Sequence, residues 1–233
     1  MLPARLLLFD IDNTLLYSGG AGSVAMTAAF SDLFGVDDGF GKIEFSGRTD
    51  RFILRSALEA HGIDGDFETQ MAAFLDRYYA LLPGSLADKQ GTLMPGFPEL
   101  LASLMEVPSA RLGLATGNFS EAARLKLDYY GIEEFFAAGS NLLGGFGEES
   151  IDRADVVRKA IENVGAGVSA DHVLVIGDTP KDITAALDNG VTAVGVATGS
   201  YTTDELRESG AHMVFEDFSD WRQAAATLTG RLS

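Results

Sequence analysis

A run of four apolar residues, Leu6-Leu7-Leu8-Phe9, ends on two aspartates spaced i, i+2, Asp10 and Asp12. In extended chain, residues two apart share a face. Ligands of open α/β sheets bind outside the carboxyl ends of the strands, so both carboxylates belong at the mouth of one site. Carboxylates held that close repel, and either one is protonated or a cation lies between them. Val173-Leu174-Val175-Ile176-Gly177 repeats the pattern, leading into Asp178 with Asp182 one helical turn further on. Oxygen donors with few charges suit Mg²⁺, which keeps several waters and prefers one or two carboxylates plus a substrate phosphate. No cluster of histidine and cysteine competes for zinc. A third run, Leu112-Gly113-Leu114-Ala115, ends in Thr116-Gly117-Asn118, a hydroxyl and glycine-flanked amides where a helix begins, and such a turn can hold a phosphate. Taken singly, each has a plainer role: Asp12 or Asn13 as cap or turn residue, Asp178 and Asp182 as cap and surface, Thr116 as cap. Three of them at successive strand ends point to one site.

The elements that must position these residues follow from the apolar pattern. Continuous apolar runs at 5–9, 111–115, 135–138, 173–176, 193–197 and 212–215 read as strands buried on both faces. The stretches between carry apolar residues at helical spacing, for example Phe97, Leu100, Leu101 and Leu104, or Val156, Val157, Ala160, Ile161 and Val164. Strand and helix in alternation mean an α/β fold with a doubly wound parallel sheet. One interval breaks the rhythm: about 100 residues separate the first strand from the second, too many for a single crossover helix. Helices are expected there over 21–33, 50–61 and 66–82, parted by glycine-rich breaks, with Pro83-Gly84 and Pro95-Gly96 marking the way back. The chain therefore divides into a core of residues 1–17 and 93–233 and a small inserted α-helical domain of residues 18–92.

Composition bounds the function. The 233 residues are 46% hydrophobic, enough for a sizeable core, and 17 Lys and Arg against 34 Asp and Glu give a net charge of −17. That surface repels nucleic acid and anionic membrane, so neither is an expected partner. Absence of cysteine excludes a disulfide framework and a thiolate centre. The first apolar run is far short of a signal-peptide core or a membrane span, and a soluble, cytoplasmic protein is expected.

Asp10-Ile11-Asp12-Asn13-Thr14-Leu15, then Thr116, then Gly177-Asp178 with Asp182, resemble the first, second and fourth motifs of the haloacid dehalogenase superfamily. Met94 to Leu101 and Gly210 to Phe215 resemble connecting segments of its phosphoglycolate-phosphatase-like branch, and the helical insertion resembles that branch's cap. The resemblance implies a Rossmann-like core and a Mg²⁺-dependent phosphatase acting on a small phosphorylated metabolite, as monomer or homodimer. It implies Asp10 as nucleophile forming an aspartyl-phosphate and Asp12 as general acid and base. Asp10, the backbone carbonyl of Asp12 and Asp178 would hold Mg²⁺, Asp182 would orient that shell, and Thr116, Gly117 and Asn118 would bind the phosphoryl oxygens. Members that cleave carbon–halogen bonds lack the second aspartate. A halide leaves without a proton, whereas an alkoxide benefits from one, so Asp12 favours phosphoryl transfer. The family's usual third motif, a lysine commonly followed by proline, is missing, and Arg153 is the nearest candidate for binding phosphate in its place. A cation in the first turn of a helix opposes the dipole unless something compensates, although Asp152 could be a cap and Arg153 merely solvated. Arg48, in a loop resembling the one with which related caps reach over the site, could meet an anionic leaving group. Rival readings are a sugar phosphomutase of the same superfamily, a non-enzymatic phosphate-binding module, and an enzyme whose activity has decayed.

Overall fold

The computed structural model describes residues 3–231; the outermost positions of the expected core, 1, 2, 232 and 233, lie outside it. In chain order the elements are β1 (Arg5–Phe9), β2 (Leu16–Tyr17), α1 (Ala21–Phe34), α2 (Asp50–Ala60), α3 (Phe67–Asp88), β3 (Thr92–Leu93), α4 (Glu99–Met105), β4 (Ala110–Ala115), α5 (Ser120–Tyr129), β5 (Ala137–Ala138), β6 (Asn141–Leu142), β7 (Gly144–Gly145), α6 (Arg153–Val164), β8 (Val173–Gly177), α7 (Pro180–Asp188), β9 (Thr192–Val196), α8 (Thr203–Glu208), β10 (Met213–Phe215) and α9 (Trp221–Leu228). Six strands form one sheet in the order β10-β9-β8-β1-β4-β7, and every pairing within it is parallel.

Apolar side chains on both faces of each strand dictate this arrangement. On β1, Leu7 and Phe9 enter one core cluster with α4 and α9, while Leu6 and Leu8 enter a second on the opposite face with α6, α7 and α8. Strand β1 is the point where strand order reverses: the chain proceeds outward to β4 and β7 on one side, then to β8, β9 and β10 on the other. Crevices at such a reversal are where α/β sheets bind ligands. The strands carrying the three acidic or hydroxyl ends, β4, β1 and β8, are immediate neighbours there.

The long first interval is helical. Strand β2 pairs antiparallel with β3, Leu16 beside Leu93 and Tyr17 beside Thr92, so the segments entering and leaving α1, α2 and α3 run side by side. A third apolar cluster, with Phe30, Leu54, Phe74, Tyr78 and Leu82, fills the space between these helices and reaches Phe119 and Ala122 beside α5.

Two expected elements differ. Residues 135–138 are no strand of the main sheet: Glu133–Phe135 is a 3₁₀ turn, and β5 pairs only with β6. The apolar signal there comes from packing, since Phe136 is buried edge-on against Phe9 with ring centroids 6.1 Å apart. The sheet edge is β7, two glycines with no hydrophobic signature. A Cβ on Gly144 would lie 2.4 Å from the Leu114 carbonyl oxygen, and one on Gly145 would lie 2.1 Å from that of Val156. Second, α3 does not stop at Pro83 but continues to Asp88. Pro83 is on the exposed side while Leu82 and Leu86 are buried, so burial of the flanking leucines outweighs loss of one backbone donor.

Helix α6, which begins with Arg153, is seated directly on Gly145. Gly145→Ala is expected to push α6 outward and lower stability by about 1–3 kcal/mol, the usual cost of overpacking. A urea midpoint unchanged from the parent protein would contradict this packing.

Candidate active site

The turn after β1 is built by one buried residue. Ile11 is fully buried, and its carbonyl oxygen accepts from the amides of Thr14, Leu15 and Leu16 at 3.2, 2.9 and 3.1 Å. Asn13 closes the loop with φ of 60°, a left-handed conformation that asparagine tolerates better than most residues. With Ile11 anchored inward, Asp10 and Asp12 on either side of it line one cavity of about 440 Å³.

Asp10 lies among like charges. Carboxylate oxygens of Asp10, Asp178 and Asp182 come within 4.8 Å of one another, all buried. Two glycines make this crowding possible: a Cβ on Gly199 would sit 1.9 Å from Asp178 Oδ2, and one on Gly177 would sit 2.4 Å from Asp182 Cγ. Burial, then the neighbouring Asp182 and Asp10, push the Asp178 pKa up to about 9. Burial also raises that of Asp10, against the pull of Arg153.

Arg153 is the buried counter-charge. Its Nη2 donates to Asp10 Oδ1 at 2.7 Å, to Asp182 Oδ1 at 2.7 Å and to the Ala115 carbonyl at 2.9 Å, while Nε donates to Asp182 Oδ1 at 3.0 Å. Asp152 caps α6, accepting from the Ala154 amide. The two carboxylates compensate for a cation in the first helical turn. Asp182 is fully engaged, for its other oxygen accepts from the Thr179 amide at 3.1 Å and hydroxyl at 2.7 Å in the capping box of α7. With all three carboxylates ionised, as a bound cation would favour, the one guanidinium leaves two negative charges unbalanced in a buried space. Hard oxygen donors carrying that charge fit a divalent cation. Asp10 and Asp178 are the residues that could hold it, with Asp182 fixed behind them.

Around Asp12 the charges are balanced. Lys126 Nζ donates to Asp12 Oδ1 and Oδ2 at 2.8 and 2.6 Å and to Asn118 Oδ1 at 2.6 Å. Asn118 Nδ2 donates to Asp12 Oδ2 at 2.8 Å and to Thr116 Oγ1 at 2.9 Å. Asn118 and Gly117 line the cavity, whereas Thr116 is fully buried behind them with its hydroxyl turned to Asn118. Lys126 had no signature in the sequence, where it sits between Leu125 and Leu127 and reads as a surface position of an amphipathic helix. Asn118 lies before α5 begins, so no helical spacing in the sequence links the two.

The inserted helices close the other side. Asp50, the first residue of α2, is tied to the loop after β4: its amide donates to the Gly117 carbonyl at 2.7 Å and its carboxylate accepts from the Phe119 amide at 3.0 Å. Burial pushes the Asp50 pKa up to about 7, although Lys126 and the Phe119 amide pull it down. Arg48 lines the cavity too, its guanidinium over the Phe52 ring at 4.4 Å and 3.4 Å from Glu44. Lys181 on α7 donates to the Ser46 carbonyl at 2.8 Å, adding a second tie between this loop and the sheet side.

An acidic constellation at the strand-order reversal, under a helical insertion, defines a class of α/β hydrolase. Residues 4–190 match the model of the haloacid dehalogenase-like hydrolases, and the chain belongs to that family. It is 29% identical over 231 residues to the phosphoglycolate phosphatase of Rhodospirillum rubrum, covering 93% of this chain and 90% of that one. Its identity to the phosphoglycolate phosphatase of Mesorhizobium japonicum is 26%, covering 91% of each. The fold is also that of a hydrolase from Pseudomonas syringae, at 22% identity and a TM-score of 0.67, covering 94% of this chain and 96% of that one. Among the described residues no helix is long and apolar enough to cross a membrane.

Two outcomes follow from the electrostatics. Arg153→Ala leaves Asp10 and Asp182 facing each other without a cation, and at pH 8 in metal-free buffer it is expected to cost about 3–5 kcal/mol. The loss should shrink at pH 5, where Asp10 can take up a proton; equal losses in urea at both pH values would contradict the pairing. Asp50 binds its proton more tightly in the folded chain, with a pKa of about 7 against an ordinary 3.8. Its contribution to stability therefore falls as pH rises between those values and is level above them. Asp50→Asn keeps an oxygen for the Phe119 amide and should flatten this slope, raising the melting temperature at pH 8 relative to the parent.

Proposed function

We propose that this enzyme, a phosphatase of its family, hydrolyses a small phosphorylated metabolite in two steps through Asp10. The observation that carries the reading is the second carboxylate, Asp12, facing the same cavity as Asp10 and gripped by Lys126 and Asn118. Arg153 holds Asp10 Oδ1 and so presents Oδ2 to phosphorus. In the first step Asp10 Oδ2 forms a bond to phosphorus as the ester P–O bond breaks, and the leaving oxygen takes a proton from Asp12. In the second, water gives a proton to Asp12 and attacks the aspartyl-phosphate, freeing Asp10 and inorganic phosphate. Gly117 and Asn118, with Thr116 behind them, receive the phosphoryl oxygens. When bound, Mg²⁺ would be held by Asp10 and Asp178 with the Asp12 carbonyl, and would supply charge that offsets repulsion between nucleophile and phosphate.

Residues 18–92 act in this reading as a cap over a core of 1–17 and 93–233, excluding bulk water during attack and admitting one water afterward. Arg48 and the cavity-facing residues of α1 and α3 then meet the leaving group. Two relatives carry the name phosphoglycolate phosphatase, which makes phosphoglycolate the first ester to assay.

With Mg²⁺ present, the protein should release inorganic phosphate from p-nitrophenyl phosphate and from at least one small metabolite, and excess EDTA should stop it. Asp10→Asn is expected to reduce release to background and Asp12→Asn to reduce it by roughly 10²–10⁴-fold. Turnover confined to isomerisation of sugar phosphates, with no free phosphate, would sink the hydrolytic reading.

A further inference from the structure

The cation that grips Asp12 belongs to no motif that carries the family resemblance. Lys126 lies in the middle of α5 with its side chain 4% exposed, a position where an ammonium is costly unless fully partnered. Among the described residues all its partners are in the site: both oxygens of Asp12 and Asn118 Oδ1. Helix α1 packs over it, Gly22 facing Nζ at van der Waals distance, where a Cβ would stand 3.4 Å away. Helix α5 also fixes its aim. Ala123 and Leu127 are buried in the sheet cluster, and Ala122 is buried in the cluster under α1 and α3. That leaves Lys126 between two packed faces, pointing at the cavity it lines.

We infer that Lys126 is a positioning residue for the proton transfer assigned to Asp12, an inference that rests on the phosphatase reading. Among the described residues Asp12 otherwise has one side-chain partner, Asn118 Nδ2 on Oδ2, and a carboxylate tethered through a single oxygen can rotate about its Cβ–Cγ bond. Lys126 bonds both oxygens and removes that freedom, holding the carboxyl plane toward the leaving group above Asp10. Proton delivery depends on hydrogen-bond reach and alignment, and small displacements of a catalytic group are expensive. Lys126 thereby controls how well the enzyme expels leaving groups that need a proton, with little influence on those that depart without one.

The test is kcat/KM, which reports the step that expels the leaving group, for a series of phosphate monoesters from p-nitrophenyl phosphate to a simple alkyl phosphate. Lys126→Met keeps the length and apolar stem of the side chain. It should lower kcat/KM for the alkyl ester by at least about ten-fold more than for p-nitrophenyl phosphate, steepening the dependence on leaving-group basicity. Lys126→Gln, a neutral donor of similar length, carries the same measurement if the first variant fails to fold by circular dichroism, and is expected to show a smaller steepening. Equal losses across the series, or no loss, would overturn the role of Lys126. Asp12→Asn separates the two levels of argument. If it steepens the series while the Lys126 variants do not, only the positioning role fails. If Asp12→Asn itself leaves the slope unchanged, the acid role of Asp12 fails with it.

Discussion

Repulsion among carboxylates is the constraint on which the site depends. Adjacent parallel strands lie about 4.8 Å apart, so aspartates placed at or just beyond the ends of β1 and β8 have no means of avoiding each other. The chain adds a third, Asp182, from the first turn of α7. It then offsets part of the charge with a single buried guanidinium reaching in from the start of α6. What remains is a pocket short of positive charge, in which Asp182 is held through both its oxygens while glycines 177 and 199 leave room for Asp182 and Asp178.

A second, electrically balanced region adjoins it. Asp12, Asn118 and Lys126 form a closed set of donors and acceptors, so the two aspartates that flank Ile11 experience different surroundings despite being two residues apart. Asp10 is crowded by anions and Asp12 is clasped by a cation.

Much of this was legible in the sequence because the features are local. Leu6 to Asp12 and Val173 to Asp182 each place a strand, its end and its acidic residues in one short stretch, and alternation of strand and helix yields the doubly wound sheet. Helices α1 and α2 were bounded nearly to the residue by glycine breaks. Legibility stopped where the signal was tertiary. Strand β7 is two glycines whose role is to let α6 and β4 approach, and glycine carries no hydrophobic pattern. Phe136 was apolar for the sake of Phe9 rather than a strand. Pro83 promised a stop that Leu82 and Leu86 overrode. Lys126 and Asp50 are charged residues in amphipathic helices, indistinguishable by type from solvated neighbours until the fold turns them inward. Arg153 was visible as the nearest candidate for the missing third motif, and through the mismatch between its charge and the helix end it occupies.

Helix α5 is shared property. Phe119 at its start and Ala122 one turn on complete the apolar filling beneath α1 and α3, while Ala123 and Leu127 serve the sheet. The inserted helices are therefore no detachable module: lifting them would strand an aromatic ring in water within two residues of Gly117. A chimaera that exchanged residues 18–92 for those of another hydrolase would inherit a mismatched footprint unless positions 119 and 122 travelled with the graft. Diversification of what this scaffold accepts is thus tied to co-substitution on a helix that also delivers Lys126.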